Sequence, residues 1–160
     1  MNMKLQDIIV EAALVPSLEG ATRDEVVAEL TDALVAAGSI DRSNRDAIIE
    51  AVLERERRGS TGFGKGVAVP HVKHPSISTM AATIGVSAKG VDFNALDRQP
   101  VFSVVLLLSP QDQPDEHLRA MELIFGNLSQ DTFRRFLRQA TTVEDIVTLI
   151  READNQQLVR

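Results

Sequence analysis

The chain has 160 residues and a formal net charge of −6, with 44% hydrophobic residues and no Cys, Trp or Tyr. The missing Cys excludes disulfides, thiolate catalysis and Cys-ligated zinc. An acidic chain whose only aromatics besides histidine are six Phe offers neither the basic face nor the stacking platform that nucleic acid requires, so no nucleic-acid partner is expected.

Residues 1–160 are expected to form a single domain, which at this length needs no metal or disulfide to hold it. The first residues, Met1 to Asp7, show no basic segment followed by a long apolar run, so no signal peptide is expected. The strongest apolar run, Val101 to Leu108, is far short of the roughly 20 residues that cross a bilayer. A cytoplasmic chain with no direct membrane insertion is the expectation.

Thr22 to Ala37 has the pattern of a helix. Thr22 and Glu25 form a capping box, Val26, Val27, Leu30, Leu34 and Val35 form its apolar stripe, and Gly38 stops it. Asp41 or Ser43 caps a second helix that presents Ile48, Ile49, Val52 and Leu53 and ends at Gly59. Its last turn holds Arg55, Arg57 and Arg58, at the negative end of the helix dipole. Ser60 to Gly66 is a glycine-rich loop, Val67-Ala68-Val69 a short strand, and Pro70 is expected to end it. Thr79 to Val86 and Val101 to Leu108 are the next strands, the latter apolar without alternation, as in a strand buried on both faces. Helices follow over Pro114 to about Ser129, Thr132 to Arg138, and from Thr142, where Asp145 completes another capping box pattern. Strands in the middle with helices before and after imply an α/β fold, a mixed β-sheet flanked by helices in an α/β/α sandwich. The order is not a clean βαβ alternation, so a Rossmann fold is not expected.

Three histidines could carry chemistry. His71 follows a strand and a proline, where a rigid scaffold hands a group to an exposed loop. Its neutral imidazole keeps a lone pair and can attack phosphorus near neutral pH. Spacing alone equally permits a solvated loop residue. His117 sits in the first turn of a helix and His74 just after His71, and both are readable as solvated. Arg55 has the fork that suits phosphoryl oxygens, but position alone does not separate it from Arg57 and Arg58, whose plain role is dipole compensation. Gly59 to Gly66 almost matches a P-loop. It lacks the final Ser/Thr and lies between a helix and a strand in the wrong order, so nucleotide binding is rejected. Its glycines can still cradle a phosphoryl group with free N–H groups, or serve only as a tight connection. A zinc site of His71, His74 and His117 is disfavoured because Lys73 adds positive charge between the first two. No metal or cofactor is expected.

The segment Arg55-Glu56-x-x-Gly59-Ser60-Thr61-Gly62-x-Gly64-x-Gly66-Val67-Ala68-Val69-Pro70-His71 closely resembles the signature of the type-2 enzyme IIA family of the phosphotransferase system, which includes fructose-, mannitol- and nitrogen-related members. Asp115-x-His117-Leu118 opening a helix fits as well, and the resemblance covers nearly the whole chain. It implies the enzyme IIA type-2 fold and a phosphotransferase in which His71 accepts phosphate from an HPr-type phosphocarrier. The group then passes to an enzyme IIB or serves as a switch toward regulatory target proteins. It implies that Arg55 and His117 support the phosphorylated imidazole and that Arg57, Arg58 and His74 are minor. Val72 stands where the family has glycine or another small residue, and a β-branched residue disfavours positive φ. Two other outcomes are a regulatory module of the same fold that binds proteins without relaying phosphate, and a degenerate domain that no longer accepts it.

Overall fold

A computed structural model describes residues 2–156. Helix α1 spans Leu5–Ile8, α2 Arg23–Ala36 and α3 Arg45–Arg57; strands β1 Gly62–Gly64, β2 Val67–Ala68, β3 His71–His74, β4 Ala81–Val91 and β5 Val101–Pro110 come next; α4 Pro114–Leu128, α5 Asp131–Gln139 and α6 Val143–Asp154 complete the chain. Both expected capping boxes form. Thr22 Oγ1 accepts from Glu25 N–H and Glu25 returns the bond to Thr22 N–H, and Thr142 and Asp145 do the same at α6. After α2, Gly38 takes φ +82° and lets Ser39 N–H reach back to the Leu34 carbonyl. No helix among the described residues is long and apolar enough to cross a membrane.

Strand β5 is the centre of the mixed sheet. It pairs antiparallel with β4 on one edge and parallel with both β2 and β3 on the other, and β1 pairs antiparallel with β2. Val104, Leu106 and Leu108 pack under α2 and α3 with Val26, Leu30 and Val52, while Val105 and Leu107 face Ile124, Leu137 and Ile146 from α4, α5 and α6. This two-sided burial explains the apolar run without alternation, and it makes the molecule the expected α/β/α sandwich.

Three elements differ from expectation. β2 ends at Ala68, before Pro70, but the chain does not leave the sheet there: a further strand, β3, begins at His71. Only the proline N–H is missing from the ladder; its carbonyl accepts from Leu107 N–H (3.0 Å), and pairing resumes with His71 opposite Leu107. Gly62–Gly64 is a strand, not loop, because an antiparallel turn through Lys65 and Gly66, both at positive φ, folds it onto β2. The third is the N-terminal run. Its backbone lies along the outer edge of β4, with Val10, Val15 and Leu18 N–H donating to the carbonyls of Ala82, Ile84 and Val86. Asp154 of α6 ties down its start by accepting from the N–H groups of Leu5 and Gln6. That run covers an edge that would otherwise be open to pairing with another chain.

The close seat of this run rests on Gly85. A Cβ there would lie 2.7–2.9 Å from three atoms of the Leu18 side chain. Gly85→Ala is therefore expected to destabilise the fold by about 1–3 kcal/mol, measured by urea unfolding. Leu18→Ala in the same chain should remove most of that penalty, which a double-mutant cycle reads directly.

Candidate functional site

The parallel pairing of β3 with β5 puts the ends of both strands on one side of the sheet. His71 opens β3 and stands opposite Leu107. Two residues beyond Leu107 is Ser109, and α4 begins at Pro114, so His117 in its first turn returns over His71. The two imidazoles lie with ring centroids 5.5 Å apart and planes inclined by 43°. Arg55 arrives from the last turn of α3. A cleft of about 680 Å³ is lined by Arg55, Arg58, His71, Lys73, His117 and Met121, among others.

Each imidazole is fixed by one hydrogen bond. His71 Nδ1 lies 2.7 Å from the Val69 carbonyl oxygen. A carbonyl only accepts, so Nδ1 carries the proton and Nε2 is left with the lone pair. His117 Nδ1 lies 2.6 Å from Oγ of the buried Ser109. When that hydroxyl donates, His117 carries its proton on Nε2 and becomes a donor toward the cleft. Arg55 uses Nη1 on the Gly59 carbonyl (2.9 Å), which holds it across the α3 end and leaves its other N–H donors available.

The electrostatics keep both rings neutral. Burial pushes the His71 pKa down, the Val69 hydrogen bond opposes this, and the positive charges of Arg55 and Lys73 add to the lowering. His117 is pushed down to about 4, first by burial and then by His71 and Lys73. The cleft thus joins two uncharged imidazoles to flanking cations, an arrangement suited to receiving a dianionic group on nitrogen.

Of the residues singled out from sequence, the structure brings His71, His117 and Arg55 to one cleft, with Arg58 also on its wall. His71 is in a half-buried strand and not an exposed loop, for the reason given at Pro70. Arg57 points elsewhere, to Glu50 and Glu54. His74 turns to Ser76, whose N–H donates to its Nδ1, and no cluster of three metal-ligating side chains exists among the described residues. The Gly64-Lys65-Gly66 turn lies beyond the β2 end of the sheet, away from His71, so only the Gly59 end of the glycine-rich segment comes to the cleft. Val72 is paired with Leu108 inside β3, is absent from the positive-φ residues and packs against the core. A β-branched residue suits that backbone, so the conflict expected at Val72 does not arise.

Two supporting groups have roles that a reading of the sequence does not assign. Ser109 sits in an apolar strand and looks like a break in it. Glu56 has no apolar-face signature either, yet it is 2% exposed and accepts from both the backbone N–H and the hydroxyl of Thr61. Its carboxyl pKa is raised by burial against those hydrogen bonds. The signal that would find it is the Glu56-to-Thr61 spacing across a helix end.

The family model described as "Phosphoenolpyruvate-dependent sugar phosphotransferase system, EIIA 2" matches residues 8–153. A fructose-specific EIIABC component of the phosphotransferase system from Bacillus subtilis is 30% identical over 152 residues, 95% of this chain but only 24% of that protein's length. A nitrogen regulatory protein from Klebsiella oxytoca is 36% identical over 130 residues, covering 81% of this chain and 76% of that one. The crystal structure of nitrogen regulatory protein IIA-Ntr from Neisseria meningitidis superposes with a TM-score of 0.80 at 26% identity, covering 89% of this chain and 96% of that one.

The depressed His117 pKa has a consequence for stability. The folded value, about 4, lies below the ordinary 6.5, so the unfolded chain binds the proton more readily between them. Stability from this source is complete above pH 6.5 and is lost as pH falls toward 4. His117→Gln should flatten that part of the decline, checked by urea unfolding at pH 7 and at pH 4.5 for both proteins. An equal decline in both would show that His117 does not titrate in this range.

Proposed function

The chain belongs to the EIIA type 2 family of the phosphoenolpyruvate-dependent sugar phosphotransferase system, and from that premise we propose that it carries a phosphoryl group on His71. The donor is an HPr-type phosphocarrier, and the group moves on to an enzyme IIB or is held as a regulatory mark, in the cytoplasm. The observation that carries this reading is the hydrogen bond from His71 Nδ1–H to the Val69 carbonyl. It fixes the tautomer in which Nε2 is the nucleophile.

In the proposed step, His71 Nε2 attacks phosphorus in line while the N–P bond of the donor's phosphohistidine breaks. The leaving imidazole keeps that electron pair. The Nδ1 proton of His71 stays in place, and the positive charge that develops on its ring is stabilised by the Val69 carbonyl. Arg55 and Lys73 offset the incoming negative charge, and His117 donates from Nε2 to a phosphoryl oxygen while Ser109 holds its Nδ1. Donor and acceptor are both histidines, so positioning and charge stabilisation supply the catalysis.

A regulatory use of the same phosphohistidine is favoured by the name and 36% identity of the Klebsiella oxytoca relative. The EIIABC name of the Bacillus subtilis relative favours relay to an enzyme IIB. The two uses differ in partner, not in the chemistry at His71.

The test is a reconstituted relay with phosphoenolpyruvate, enzyme I and HPr, with acid-labile phosphate mapped by mass spectrometry. Phosphate should appear on His71 alone and vanish in His71→Ala; label persisting on His74 or His117 in that variant would overturn the assignment. Arg55→Ala and His117→Ala should slow acceptance by about 10- to 1,000-fold, the range for losing one charge-stabilising donor.

Val72→Gly supplies a separate check on the site's backbone. Glycine in this strand interior should cost about 0.5–1 kcal/mol in chain entropy, with the lost valine contact added to it. His71 should be phosphorylated no faster than in the parent chain. A faster variant would mean that the valine restrains a backbone movement needed for transfer.

A further inference from the structure

At the opposite end of the sheet from His71, a second cleft of about 490 Å³ lies between the Lys65–Gly66 turn, the start of β5 and α5. It shares no lining residue with the His71 cleft. Its walls carry Lys65, Arg134, Arg135 and Arg138 against a single carboxylate, Asp131, in a chain whose net charge is −6. Asp131 is already paired with Arg134, whose Nη1 also donates to the Leu128 carbonyl (2.7 Å). Among the described residues, Lys65, Arg135 and Arg138 form no ion pair.

The plain explanation for Arg138 is compensation of the α5 dipole. Two observations go beyond it. The Arg138 guanidinium carbon lies over the Phe102 ring, 3.6 Å from its centroid. Phe102 is itself held by close backbone neighbours: a Cβ on Gly66 or Gly90 would come within 3.2–3.3 Å of its ring. A guanidinium held over a fixed ring has its N–H groups free and preorganised for a bidentate anion. Ser103, only 2% exposed, also lines the cleft.

We propose that this cleft is a binding site for a small organic anion bearing a diphosphate group, held by Arg138, Arg135 and Lys65. The charge excess calls for more than one negative charge, and the volume admits a small metabolite and not a folded partner. The proposal stands independently of phosphorylation at His71.

Inorganic pyrophosphate and ADP are the probes, titrated by calorimetry at low and at physiological salt with backbone amide shifts followed by NMR. One saturable site is expected, with shifts at Gly66, Ser103 and Arg138 and affinity falling as salt rises. Arg138→Gln should weaken binding by about tenfold or more, as for losing a charge-assisted hydrogen bond. His71→Ala should bind unchanged. Absence of saturable binding by both probes would overturn the site. So would binding that survives Arg138→Gln and is lost in His71→Ala, since the anion would then occupy the other cleft. Amide spectra of the free variants establish that each is folded.

Discussion

The parallel register between β5 and the two strands in tandem, β2 and β3, on either side of Pro70 is the constraint on which the rest depends. Because β5 is buried on both faces, a slip of one residue would exchange the Val104, Leu106 and Leu108 face with the Val105 and Leu107 face. The register is therefore held by both halves of the core. It fixes His71 opposite Leu107 and Ser109 two residues on, and the short connection to Pro114 then delivers the first turn of α4 above them. The geometry of the histidine pair follows from packing that involves neither ring. Substitutions at the rings should leave the frame in place, whereas changes within β5 act on both.

Helices were the most legible part of the sequence, since their caps and apolar stripes are local. Thr22 with Glu25 and Thr142 with Asp145 mark starts that the backbone adopts. The pairing beyond Pro70 was harder. Proline's missing N–H argues for a strand end, and β2 does stop before it, but β3 follows at once because the proline's carbonyl still accepts from Leu107. The N-terminal run has no periodicity of its own; its backbone is ordered by the edge of β4, which no local pattern announces. At the candidate site, position alone left Arg55 undistinguished from Arg57 and Arg58, and left His117 as an ordinary helix start. Their meeting with His71 is a long-range fact, reachable from the sequence only through the family resemblance. Ser109 was silent, and Glu56 stood in the signature without an assigned role, because their partners, His117 and Thr61, are set by the fold.

Burial and charge act together in the His71 cleft. Desolvation by itself would favour neutral imidazoles and oppose a charged group on them. Arg55 and Lys73 push in the same direction while the cleft holds no anion, since they repel an imidazolium. Once a dianion is attached to nitrogen, the sign of their contribution reverses and they become its counter-charges. One pair of cations can therefore keep the acceptor nucleophilic beforehand and stabilise the adduct afterwards. The Val69 carbonyl serves both states too, orienting the free ring and stabilising the charge that a substituted ring acquires.

Glu56 shows how far the support of such a cleft extends. Its neighbour Arg55 must present donors outward while the α3 backbone turns toward β1. A carboxyl 2% exposed is costly unless its oxygens are satisfied, and Thr61 satisfies them through both N–H and hydroxyl. That buried joint pins the helix end to the first residue before β1, so the Gly59 carbonyl is placed where Arg55 Nη1 can reach it. Arg55 is then fixed at one nitrogen instead of sweeping its whole rotamer range, and less freedom remains to be lost when an anion arrives. The raised pKa of Glu56 follows from the same burial. The Arg55 charge opposes that rise, so the carboxyl and the guanidinium attract each other across the helix end and add to the joint that Thr61 makes.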